Sequence, residues 1–153
     1  MSSMTWQKKP KSITCKYLAY RFSLEGPPKY IRLPMVHVYL KSGDKEFTTI
    51  GLVDSGSTAT FLPCELVEIL ELSNLQDSSA RGAGGVFPTW LAKVDVLKLI
   101  KHKEPFDTFQ NVRVHIPKQT GAIPYVVLGR DTIFTHFDIT FYENKRKMTF
   151  IRL

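Results

Sequence analysis

The sequence is poor in several things, and each shortage excludes a class of protein. Its two cysteines, Cys15 and Cys64, stand far apart, which is neither a disulfide framework nor a metal-binding spacing. A reducing, cytoplasmic setting is therefore expected. No apolar run approaches the ~20 residues of a membrane helix, and Tyr125-Val126-Val127-Leu128 is among the longest. Met1 to Lys11 carries lysines with no apolar stretch behind them, so no secretory signal and no membrane association are expected. There is no repeat of fixed period and no low-complexity segment. His37, His102, His115 and His136 show no ligand spacing with one another or with cysteine, so they read as surface or half-buried side chains and not as a zinc site. Ser55 and Ser57 lack a Gly-x-Ser-x-Gly elbow, and Gly82-Ala83-Gly84-Gly85 lacks the Gly-Lys-Ser/Thr end of a phosphate loop.

Acidic residues are scarce as well, 14 against 21 lysines and arginines, for a formal charge of +7. Clustered cations attract nucleic acid. Here they fall in a tail (Lys8, Lys9, Lys11), at a strand end (Lys98, Lys101, Lys103) and in a turn (Lys145, Arg146, Lys147). No nucleic-acid motif accompanies them, so they read as solvated ends and nucleic acid is not the expected partner. A length of 153 residues, with 43% hydrophobic and 23% charged, fits one folded domain.

What the chain does have is strand pattern. β-branched, aromatic and aliphatic residues dominate Ile13 to Leu24 and Tyr30 to Leu40, with Gly26-Pro27-Pro28 between them. After the turn Ser42-Gly43-Asp44, a strand from Glu46 to Val53 runs into Asp54. Pro63 through Leu70 predicts one short helix. Leu75 to Ile100 reads as two extended segments around Arg81-Gly82-Ala83-Gly84-Gly85-Val86, a long hairpin with a glycine-dense tip. Phe109 to Ile116 alternates as a half-buried strand, residues 118 to 124 form a loop, and Tyr125 to Leu128 is a fully apolar strand. Asp131 is placed to cap a short helix through Phe134 to His136. Ile139 to Tyr142 and Met148 to Leu153 make a closing hairpin around Glu143-Asn144-Lys145-Arg146. The expected fold is a mostly antiparallel β domain with one or two short helices.

Asp54 is an unusual charge at the end of an apolar strand, followed by Ser55, Gly56, Ser57 and Thr58. Burying a carboxylate is costly unless something compensates. One reading is an Asx-turn in which Asp54 caps Gly56 or Ser57; the other is a carboxylate held there for chemistry.

Three stretches together resemble the retropepsin-like aspartic protease family, from about residue 30 to the end. They are Asp54-Ser55-Gly56-Ser57 between a hydrophobic strand and Thr60-Phe61-Leu62-Pro63, the glycine-rich hairpin at Gly82 to Val86, and Val126-Val127-Leu128-Gly129-Arg130-Asp131. The resemblance implies an acid-protease fold, a closed or partly open barrel-like β domain over residues 30–153, preceded by an extension over residues 1–29. It implies an aspartic endopeptidase acting on extended polypeptide, without metal or organic cofactor. Peptide hydrolysis by this route needs two carboxylates that share a proton. The chain has one Asp-Ser-Gly and no Asp-Thr-Gly, so the resemblance implies a homodimer in which Asp54 meets its symmetry mate. Ser55 would then link the two loops and Gly56 would admit the substrate backbone. Gly82, Gly84 and Gly85 would form a flap, and Leu52, Tyr125 and Val127 would line side-chain pockets. The competing reading is a catalytically silent module of the same fold that dimerises or holds a peptide.

The match departs from the retroviral pattern in two places. Thr58 stands where those enzymes have a second Asp that pairs with the Arg of the Gly-Arg element, so Arg130 is expected to pair with Asp131 or Glu65. Ser57 stands where they commonly have Ala. A hydroxyl donating to the charged dyad would lower its pKa, giving an acid optimum that Ser57→Ala moves upward. The hairpin from Ile139 to Leu153 either supplies an intersubunit sheet or completes the chain's own. Phe87 and Trp90 flank the glycine turn as packing, substrate contacts or core.

Overall fold

A computed structural model describes residues 9–22 and 25–153. Lys8 of the basic tail, with the rest of residues 1–8, and Ser23 and Leu24 at the end of the first predicted strand lie outside the described residues. Among the described residues, eleven strands and one α-helix follow in order, with a single turn of 3-10 helix (Glu143–Lys145) between the last two strands. They are β1 (Ser12–Lys16), β2 (Leu18–Arg21), β3 (Tyr30–Leu33), β4 (Met35–Ser42), β5 (Lys45–Val53), α1 (Glu65–Ile69), β6 (Gln76–Gly82), β7 (Gly85–Lys101), β8 (Glu104–Pro117), β9 (Val126–Leu128), β10 (Phe137–Tyr142) and β11 (Lys147–Arg152).

The class is all-β, as the sequence predicts. The strands form three sheets, a six-stranded one ordered β6-β7-β4-β5-β9 with β8 on β7, a three-stranded β1-β11-β10 and a two-stranded β2-β3. Of the expected closed or partly open barrel-like form, the closed alternative is not found, since among the described residues the sheets do not close into a barrel. The outer side of the short strand β9 is met by Phe61, which bridges Val127 on one side and His115 on the other, so a crossing residue stands where a closing strand would.

Two predicted strands are each divided. Tyr17 separates β1 from β2: its N–H donates to the Arg146 carbonyl at 2.8 Å and the residue is 2% exposed, which anchors the turn from one sheet to the next. Pro34 separates β3 from β4, having no N–H for a ladder, while its carbonyl accepts from Val53 N–H at 2.8 Å. β8 begins at Glu104 and not at Phe109, because His102 (φ 50°) and Lys103 (φ 67°) turn the chain in two residues. The predicted Pro63–Leu70 helix is shorter, with Leu66 and Leu70 buried. The second predicted helix is corrected: residues 130–136 are a run of turns, with Ile133 N–H reaching Gly129 O at 3.3 Å and Phe137 N–H reaching Ile133 O at 3.1 Å. The chain re-enters strand at Phe137 before a helix can propagate.

The core lies between the sheets. Leu40, Leu97, Leu99 and Val114 of the large sheet are fully buried, and Phe150 packs on Phe106 and Phe137 at ring separations of 5.4 and 5.5 Å. β11 is paired on both sides, by β1 and by β10, so the terminal hairpin completes the chain's own sheet, as the second of its two alternatives has it.

Candidate active site

β5 and β9 run parallel, with Leu52 beside Val127 and Val53 beside Leu128. Both apolar strands therefore end at one level, and the chain leaves them at Asp54 and at Gly129. Asp54 N–H donates to the Leu128 carbonyl at 3.1 Å, which ties the start of the loop to the neighbouring strand. The Asp54 carboxylate accepts the Gly56 N–H on Oδ1 at 2.8 Å. A Cβ on residue 56 would stand 3.1 Å from that oxygen, so Gly56 leaves the carboxylate room to cap its own loop. The Asx-turn is thus present. It engages one oxygen, and the half-buried side chain still lines a cavity.

The loop is fastened from behind through its main chain. Arg130 N–H donates to Ser57 O at 2.8 Å, Asp131 N–H to Thr58 O at 3.1 Å, and Phe61 and Val127 exchange two bonds of 2.9 Å. Thr60 is fully buried; its hydroxyl lies 2.7 Å from that of Thr132 and accepts Gly129 N–H at 3.3 Å. Gly129 has no alternative residue here, because a Cβ would lie 2.0 Å from the Ala59 carbonyl oxygen.

Two expectations are corrected by this geometry. Arg130 is exposed and makes none of the ion pairs among the described residues. Asp131 turns instead to the hydroxyls of Thr60 and Thr132, at 3.3 and 3.0 Å, so the backbone carries the link that a carboxylate would otherwise make. The Ser57 hydroxyl donates to the Ala59 carbonyl at 2.7 Å and not to Asp54. It stabilises the loop, and the expected hydrogen bond from this hydroxyl to the Asp54 carboxylate is not made.

In front of Asp54 is a cavity of about 910 Å³. One wall is the loop, with Asp54, Gly56 and Ser57. The second is the β6–β7 hairpin, through Ala80, Arg81, Gly82, Phe87 and Pro88. The third is formed by Phe61, His115 and Val127, with Ile123 from the loop before β9. The Phe61 ring lies 6.3 Å from Phe87 and 5.6 Å from His115, and Thr89 Oγ1 lies 3.3 Å from His115 Nδ1.

Of the residues singled out in the sequence, Asp54, Gly56, Ser57, Gly82 and Val127 reach this cavity, while Ser55, Gly84, Gly85, Leu52 and Tyr125 do not. Ser55 is exposed, and Gly84 and Gly85 sit at the outer tip, where β6 and β7 are joined by Ala83 and Gly84. Tyr125 packs edge-on against Tyr20 at 5.4 Å. Its phenol is pushed above its ordinary value by burial, with Tyr20 and the Asp54 charge adding to the effect, which places it near the carboxylate but outside the wall. Phe87 joins the wall and Trp90 does not, lying instead under the Lys118 ammonium at 5.6 Å. Sequence reasoning missed Phe61, Arg81 and His115. Their signal lies in register, since Phe61 bridges β8 and β9 at His115 and Val127 and Ala80 faces Phe87 across the hairpin. Among the described residues no cluster of three or more His, Cys, Asp or Glu is placed to hold a metal.

A family model described as aspartyl protease matches residues 38–132, more than half of the chain, from within β4 past the Gly129 turn. No curated protein matches. Among solved structures, the chain resembles a retropepsin-like aspartic protease from Rickettsia conorii, with 12% identity and a TM-score of 0.53, over 91% of this chain and 92% of that one. At that identity the likeness shows a shared fold.

Proposed function

This chain belongs to the aspartyl protease family, and from that premise we propose that it is a homodimeric endopeptidase whose Asp54 meets the Asp54 of a second copy. The observation that carries the proposal is that Asp54 is the one carboxylate, among the described residues, in the wall of the large cavity. General acid and general base must both be carboxyls in this chemistry, and the chain has a single Asp-Ser-Gly. A two-fold partner supplies the second by symmetry. The ionised carboxylate takes a proton from water as the water oxygen attacks the peptide carbonyl carbon, and the protonated one donates to the carbonyl oxygen. Collapse of the tetrahedral intermediate breaks the C–N bond, with a proton delivered to the departing amine. No metal or organic cofactor is needed.

The substrate is extended polypeptide, because β6 is an edge strand of the large sheet and offers backbone groups for pairing. The β6–β7 hairpin serves as the flap, with Gly82, Gly84 and Gly85 keeping its end free of bulk. Ser55, exposed beside Asp54, joins the two loops across the dimer axis. Residues 30–153 form the protease domain, to which the described part of the first 29 residues adds β1 and β2. Among the described residues no helix is long and apolar enough to cross a membrane, and both cysteines are free, in keeping with a cytoplasmic setting.

The test is incubation of the purified protein with denatured protein substrates from acid to neutral pH, beside Asp54→Asn, with mass in solution measured on both. Cleavage by the wild-type dimer that disappears in Asp54→Asn is expected. Cleavage that survives the substitution, or activity from a strict monomer, would falsify the mechanism. A dimer with no activity at all would leave a binding module in its place.

A further inference from the structure

We propose that Arg81 makes this cleft selective for polypeptides carrying an acidic side chain, an inference that rests on the protease reading. Among the described residues in the cavity wall, the fixed charges are Asp54 on the loop and Arg81 on the hairpin. Arg81 lies opposite Val86 in the last stretch of β6 and is exposed. Its side chain makes none of the ion pairs among the described residues. The acidic residue on its own strand, Asp77, is taken by Lys118 at 2.5 Å. The guanidinium is therefore unspent, over a cavity whose remaining lining is largely apolar.

A carboxylate entering this cleft meets repulsion near Asp54 and attraction near Arg81. An acidic substrate residue accordingly docks toward the hairpin and away from the scissile bond. Guanidinium and carboxylate match as a planar two-bond pair, so Glu and Asp are favoured over their amides and Lys is disfavoured. His115 supplies a second polar group, since its Nδ1 faces Thr89 Oγ1 at 3.3 Å and Nε2 is the ring nitrogen left for a ligand. The formal charge of +7 acts in the same direction at longer range, drawing acidic chains toward the protein.

The experiment uses extended peptides of one apolar sequence in which Glu, Gln or Lys is placed at each position in turn. Binding to Asp54→Asn protein is measured by calorimetry, and kcat/KM is measured on the wild type. At one position, Glu should bind on the order of fivefold more tightly than Gln, the scale of a partly exposed ion pair. The preference should vanish in Arg81→Gln and pass to Lys in Arg81→Glu. Equal binding of Glu and Gln at every position, a preference that survives Arg81→Gln, or no binding of any peptide overturns the proposal. Cleavage by the wild type without a Glu preference sinks the role of Arg81 alone. A Glu preference in binding without cleavage sinks the protease reading and keeps the role of Arg81 in the cleft.

Discussion

Arg152 donates from Nη1 to the Asp107 carboxylate at 2.7 Å, joining the last strand to β8 of the large sheet. The Asp107 side chain is 5% exposed and also receives Lys9 Nζ at 3.1 Å and Thr108 N–H at 2.8 Å. Burial works against its charge, but Arg152, the Thr108 amide and Lys9 outweigh it and hold the carboxyl below its ordinary value. A carboxyl lowered on folding contributes stability above its unfolded pKa of about 4, and loses it as pH falls through the folded value. Urea titrations should show wild-type stability dropping below about pH 4. In Asp107→Asn that drop should shrink, with a loss at neutral pH of about 1.5–3 kcal/mol.

Gly129→Ala is expected to cost at least about 3 kcal/mol, beyond ordinary overpacking, because the clash is with the backbone of Ala59. Circular dichroism on heating, or failure to recover soluble protein, reads the effect. A variant as stable as the wild type would contradict the close approach.

Ser57→Ala should leave the pH profile of activity where it is. Its hydroxyl serves the Ala59 carbonyl, so the loss is of a loop hydrogen bond, about 1 kcal/mol in a denaturant titration. An optimum displaced toward neutral pH would return the hydroxyl to the dyad.

Thr60→Val removes a buried hydroxyl shared by Thr132, Gly129 and Asp131, at a cost of about 1–3 kcal/mol. Thr60→Val with Thr132→Val should cost less than the two singles added, since neither partner then strands the other. A double-mutant cycle in urea measures the coupling.

Replacing His102-Lys103 by Asn-Gly should raise stability by about 1 kcal/mol, because both positions have positive φ and residues with a Cβ resist that conformation. A higher melting temperature is the readout.

The same turn shows where the sequence stops being legible. Strand identity could be read from β-branched and aromatic runs, and the Gly-rich turn between β6 and β7 from glycine itself. The β7–β8 turn carries neither Gly nor Asn, so the sequence pattern shows a strand only from Phe109 although β8 starts at Glu104. Asp131 and the three residues after it looked like a capped helix start, but the side chain is drawn to Thr60, 71 residues away, a partner no local pattern reveals. The Asp54 loop was legible because its neighbours in sequence are its neighbours in space. Phe61, Arg81 and His115 were not, because they come from three elements that only the sheet register brings to one cavity.

The two sides of that cavity are fastened very differently. Residues 57–61 are bonded through their backbone to residues 127–131, whereas the hairpin ends in the exposed stretch Arg81 to Val86. In deuterium exchange, the amides of Asp54, Phe61, Val127 and Arg130 should behave as one slow unit that opens with the sheet, while the hairpin end exchanges on its own and far sooner. Under the proposed function, entry of a long chain is then a one-sided event, with the carboxylate as the fixed jaw.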